Sequence, residues 1–218
     1  MCIWISSTIA LSVCNISIHP VRQRDEPGKH GADLMKISRV WAMPDKWTFN
    51  IQPIREILNK YVGDGKGWID PFAGENSPAE ITNDINPERN SKYHLHALEF
   101  CKQFNGKSFN GVLFDPPYSL RQVKECYDSI GIDMSFDDSK MFPSNIKDMV
   151  SQIIKPSGIS ICFGWDSIGL GKNRGFEIVE ILLVCHGGRH NDTIVTVERK
   201  INMRLDEHGK HGADVIWK

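Results

Sequence analysis

From Met35 onward, apolar positions fall into short, well-punctuated blocks. Residues 51, 54, 57, 58, 61 and 62 are apolar at helical spacing and Gly63 ends the run, which predicts a helix over residues 51–62. Residues 67–70, Gly-Trp-Ile-Asp, read as a short strand closing on an acid. Residues 79–85 read as a second strand and 93–104 as a helix, with Gly106 after it. Residues 111–115 form a buried-type strand that meets Pro116-Pro117, where a ladder cannot continue. A helix over 145–154, closed by Pro156 and Gly158, precedes strands over 159–163, 176–184 and 193–199. The turn-rich residues 185–192 join the last two strands as an antiparallel hairpin.

Strands alternating with helices, then a hairpin, predict an α/β fold: a mostly parallel twisted sheet with an antiparallel C-terminal hairpin as one edge. Ligands bind such sheets at the carboxyl ends of the strands, where Asp70 and Asp115 would stand.

Composition narrows the partners. Among 218 residues, 40% are hydrophobic and 24% charged, as in a folded domain. With 26 basic against 27 acidic side chains, bulk charge does not hold this protein on nucleic acid, so any such contact comes from a local patch. The 6 cysteines show no CxxC pair and no zinc spacing, so no metal site is expected. Residues 2–18 are apolar and uncharged but lack a basic leader and a small-x-small cleavage site, and no apolar run is long enough to span a membrane. A cytoplasmic protein is expected. Residues 25–33 are echoed by 206–214, one copy near each end, which does not make a solenoid. The expected organisation is an N-terminal extension over 1–34 upstream of a start at Met35, a domain over 35–204 and a tail over 205–218.

The chemistry concentrates at Asp115-Pro116-Pro117-Tyr118. A carboxylate and a carbonyl fixed by the prolines make two acceptors, matching the two hydrogens of an exocyclic amine, and Tyr118 adds a face for a flat base. Drawing both hydrogens away favours a pyramidal nitrogen whose lone pair is free to attack a methyl group. The competing reading is a Pro-Pro turn after a core strand. In Asp70-Pro71-Phe72-Ala73-Gly74, the glycine lets the backbone approach a ligand closely. Asp84, after the next strand, is either an acid for ribose hydroxyls or an Asx turn into Asn86-Pro87.

The series Asp70–Gly74, Asn83-Asp84 and Asp115-Pro116-Pro117-Tyr118 resembles S-adenosylmethionine-dependent amino-methyltransferases, in particular DNA adenine N6-methyltransferases. The stretch 41–49 looks like the segment preceding the cofactor loop in small phage-type adenine methylases, and the resemblance covers residues 35–200. It implies a Rossmann-like class I methyltransferase fold, S-adenosyl-L-methionine as cofactor and a flipped DNA adenine as substrate, in a bacterial or phage setting such as restriction-modification. By that resemblance Asp70, Phe72 and Gly74 line the methionine part of the cofactor, Asp84 takes its ribose and Phe49 closes over the methionine end. Where family members place an acid near the cofactor's adenine, this chain has His96. Only ten residues, 71–80, separate the first two strands, so the first crossover helix is a single turn or missing.

Residues 119–142 would supply a loop over the base, with Arg121 and Lys124 near the tetrad. Lys172, Arg174, Arg189 and His190 would meet phosphates from Gly-rich loops, solvated surface charge being the alternative for each. Competing functions are methylation of an RNA or free base amine and a catalytically silent nucleic-acid-binding subunit. A nicotinamide oxidoreductase lacks its G-x-G-x-x-G after the first strand.

Overall fold

The computed structural model describes residues 35–128, 131, 136–188 and 190–201, with backbone alone for 120 and 136–142. The two terminal segments, 1–34 and 205–218, lie outside the described residues.

Seven strands form one sheet: β1 (Lys36–Trp41), β2 (Trp68–Asp70), β3 (Ile81–Thr82), β4 (Phe109–Phe114), β5 (Ile154–Gly164), β6 (Phe176–Cys185) and β7 (Thr193–Lys200). Their order is β1-β6-β7-β5-β4-β2-β3. Only β7 runs against its neighbours, pairing antiparallel with both β5 and β6. Helices α1 (Gln52–Tyr61), α2 (Ala97–Lys102), α3 (Leu120–Asp128) and α4 (Phe136–Ile153) cover both faces.

The pleat of β4 explains why both faces need cover. Val112 and Phe114 face a core cluster with Phe100, Val123 and Ile146, whereas Leu113 faces the other with Ile54, Leu58 and Val195. The fold is a Rossmann-like α/β sheet. Consecutive connections leave β2 towards β3 and β4 towards β5, in opposite directions across adjacent parallel strands, so the switch point lies between Asp70 and Asp115.

Several expectations need correction. The antiparallel strand is interior, between β5 and β6, rather than an edge. Val195 and Val197 are fully buried, along with Thr196 and Glu198 on the opposite face, which suits a strand covered on both sides. The edge on that side is instead β1, which pairs parallel with β6 and which the sequence pattern misses because Ile37 and Trp41 stay exposed. The strand expected over 79–85 shrinks to Ile81–Thr82, because Asn83 turns its amide to the neighbouring loops. The helix expected over 93–104 begins only at Ala97, since Tyr93 bridges to Asn83. Residues 119–142 are not a loop: α3 and the start of α4 occupy most of them, and α4 runs on through Pro143 to Ile153. Between β2 and β3 there is no helix, as the ten-residue spacing requires.

Candidate functional site

The ends of β2 and β4 open into a cleft of about 380 Å³. Its first wall grows from Asp70, which is fully buried and accepts from the Phe72 N–H at 2.9 Å and the Ser77 hydroxyl at 2.6 Å. Those bonds turn the chain sharply after the strand. Burial pushes the Asp70 carboxyl up to about 7 against these two bonds, with Asp115 and Asp84 adding repulsion. Gly74 has a φ of 54°, and a side chain there would meet the Trp47 ring at 3.2 Å. Trp47 itself lies under the Arg89 guanidinium, 5.0 Å from its ring centre, and Arg89 pairs with Glu75 at 3.0 Å.

Asp84 makes the Asx turn and holds the glycine loop as well. Oδ1 accepts from the Asn86 N–H at 2.8 Å, an Asx turn, while Oδ2 accepts from the Gly74 N–H at 3.1 Å and props the glycine loop. Asn83, buried beside it, donates to the Pro71 and Leu95 carbonyls at 3.0 Å each and accepts from the Leu95 N–H at 2.9 Å. It staples the loop after β2 to the one before α2.

Asp115 follows β4 at the floor of the opposite wall. The Tyr118 hydroxyl donates to its Oδ1, and the Thr48 hydroxyl bonds the same carboxylate. Desolvation raises the Asp115 carboxyl, and both hydroxyl bonds pull it back. Burial and the Asp115 charge push the Tyr118 phenol well up, so it stays protonated and remains a donor. The Tyr118 N–H is held by the Gln122 side chain at 2.8 Å, and its ring meets Trp165 edge-on at 5.7 Å. Pro116 and Pro117 line the same cleft. Next to it lies a small apolar cavity of about 70 Å³, bounded by Pro71, Ile85, Leu95 and Ala97, with Phe72, Pro117 and Cys126 shared between the two.

Phe49, Phe72, Gly74, Asp84, Asp115, Pro116, Pro117 and Tyr118 therefore converge on one cleft, with Asp70 bracing it from behind. Phe49 also packs on Phe163 at 5.2 Å, so it is core and lining at once. His96 does not line the cleft. Its Nδ1 accepts from the Leu98 N–H at 3.2 Å as the cap of α2, and its ring packs on Tyr127.

The expected cationic residues are scattered. Arg121 and Lys124 lie on α3 beside the cleft, paired with Glu125 at 2.6 Å and Asp128 at 3.9 Å. Arg174 is engaged within the fold: it bonds Asp148 at 2.6 Å, the Leu170 carbonyl at 2.9 Å and Ser144 at 3.1 Å. Lys172 and His190 are exposed, and Arg189 lies outside the described residues. Sequence reasoning missed Trp165 and gave no separate role to Trp47 and Thr48, although both lie in the stretch 41–49, or to Asn83, which it named only beside Asp84. Asn83 and Trp165 each fall within one residue of a strand's carboxyl end.

Among the described residues no group of three His, Cys, Asp or Glu is placed to hold a metal ion. Nor is any described helix long and apolar enough to cross a membrane.

No family model matches the chain, and no curated protein does. Solved structures do. One is TrmN from Thermus thermophilus, at 14% identity and a TM-score of 0.47, covering 69% of this chain and 49% of that one; the chain thus spans about half of TrmN's length. Another is the 1,6-didemethyltoxoflavin-N1-methyltransferase of Burkholderia thailandensis, solved with 1,6-didemethyltoxoflavin and S-adenosylhomocysteine, at 13% identity and 0.46, covering 69% and 78%. The N-methyltransferase NodS from Bradyrhizobium japonicum is similar at 9% identity and 0.44, covering 69% and 96%.

Proposed function

We propose that the protein is an S-adenosylmethionine-dependent methyltransferase acting on the exocyclic N6 amine of adenine in DNA. The observation that carries this reading is the meeting of Asp115-Pro116-Pro117-Tyr118 and the Asp70–Gly74 loop in one cleft at the switch point of the sheet.

The cleft fits the cofactor by its chemistry. Asp84 and Asp115 line it, acids that favour a cationic sulfonium and ammonium, and Asp70 braces the loop from behind. Gly74 keeps the loop floor bare, and the small apolar cavity beside Phe72 suits a flat ring. Phe72, Gly74, Asp84 and Phe49 would hold the cofactor. When bound, it supplies an electrophilic methyl group.

The chain's own residues do the rest. Tyr118 offers its ring to the base, whose amine then donates to Asp115 in place of the Tyr118 hydroxyl. Asp115 and the Pro116 carbonyl orient the two amine hydrogens, free the nitrogen lone pair and stabilise the positive charge that grows on nitrogen. Asp115 is placed to accept the proton the amine sheds once the new N–C bond has formed. Duplex DNA hides this amine, so the base enters flipped or from a single strand.

The test is transfer of labelled methyl from S-adenosylmethionine to unmethylated genomic DNA, with Asp115→Ala alongside. N6-methyladenine should appear with the natural protein and fall by about 100-fold or more in the variant, while cofactor binding persists. Label on RNA and none on DNA would move the reading to an RNA amine. Failure to bind the cofactor would end it.

A further inference from the structure

The loop after β5 has a design that the proposed reaction leaves unexplained. β5 lies beside β4 with Phe114 opposite Cys162, so Gly164 and the residues after it leave the sheet next to Asp115 and Tyr118. Trp165 touches Tyr118 edge-on yet is 45% exposed, and Ile168 is 66% exposed. Apolar side chains left in water are often carried by loose loops. This loop is pinned. The Ile168 N–H is held by Asp166 at 2.9 Å, and Lys147 reaches from α4 to the Gly169 carbonyl at 2.7 Å. Glu198, wholly buried on β7, accepts from the Leu170 and Gly171 N–H groups at 2.6 and 2.9 Å. Arg174 holds the Leu170 carbonyl from the far side.

A fixed loop that aims an indole ring and a branched aliphatic chain at solvent, beside a tyrosine placed for base stacking, has the make-up of a stacking platform. We infer that Trp165 and Ile168 bind the nucleotides flanking the target base: Trp165 stacks on the base next to the one in the cleft, and Ile168 covers the following step. Exposed Lys172 adds positive charge along the same loop. This inference rests on the nucleic-acid reading of the cleft and extends it, since a free nucleoside brings no flanking base for Trp165 and Ile168 to hold.

Binding of a fluorescein-labelled oligodeoxyadenylate separates the two ideas, because it needs no methyl transfer. Trp165→Ala should weaken binding roughly five- to 150-fold, the worth of one stacked base. Trp165→Phe should restore most of it, Ile168→Ser should weaken it less, and S-adenosylmethionine affinity and melting temperature should hold in all three. Unchanged oligonucleotide affinity in both Trp165→Ala and Ile168→Ser overturns the inference. So does an equal loss in Trp165→Phe and Trp165→Ala accompanied by a fall in melting temperature, which would make the ring a mere prop for Tyr118. Oligonucleotide binding that depends on Trp165 without methyl transfer to any nucleic acid supports the platform and fails the proposed reaction instead.

Discussion

In the proposed reaction the substrate amine takes a place on Asp115 that the Tyr118 hydroxyl bonds at rest. Removing that hydroxyl while keeping the ring leaves the stacking face and opens Asp115. Tyr118→Phe is therefore expected to keep methyl transfer within a few-fold of the natural protein, whereas Tyr118→Ala, which loses the face, should raise KM for DNA about tenfold or more; steady-state kinetics on DNA separates them. Asp70 gives a prediction in pH. Its folded pKa of about 7 lies above the ordinary 3.8, so between these values the folded state binds more protons than the unfolded chain. The contribution of this group to stability is then full below about pH 4 and declines as pH rises through about 7. Asp70→Asn removes that decline. Its melting temperature relative to the natural protein should climb from about pH 5 to about pH 8, and a flat difference would mean that Asp70 is not held protonated.

At the level of elements, loops carry the site and side chains from distant elements fix the loops. Glu198 shows this most directly, since it leaves β7 to satisfy two N–H groups after β5 and also accepts from the Ser160 hydroxyl at 2.8 Å. Glu198→Ala strands two buried donors and one half-buried one at about 1 kcal/mol or more each, so melting should fall by roughly 6–12 °C; Glu198→Gln, which keeps an acceptor, should fall less. Scanning calorimetry of the two variants checks the order. The same reliance on distant partners decides what the sequence disclosed. Helix α1 was legible because Ile54, Ile57 and Leu58 repeat on one buried face. The tetrad was legible because its chemistry is contiguous. The bonds made by Thr48 and Asn83 were not, because each acts on residues a dozen or more positions away. β1 was hidden for a related reason: its outward stripe breaks the alternation by which a strand is recognised.

For the molecule as a whole, β7 is the hinge of the architecture. β6 and β1 join the rest of the sheet only through it, and β1 is tied on further by Glu180, which pairs with Lys36 at 3.0 Å and accepts from Tyr61 of α1 at 2.7 Å. The order of synthesis turns this into a constraint. Of the strands β1 leaves the ribosome first, but Lys36 finds its place opposite Glu180, and β5, already beside β4, gains its second neighbour only when residues 194–199 have emerged. Until then the growing chain carries two incomplete half-sheets with open edges, the kind of surface that recruits other strands. A message cut short before Thr193 would thus yield a sticky, unfinished product with the tetrad already in it, and the synthesis of β7 decides whether those open edges are closed.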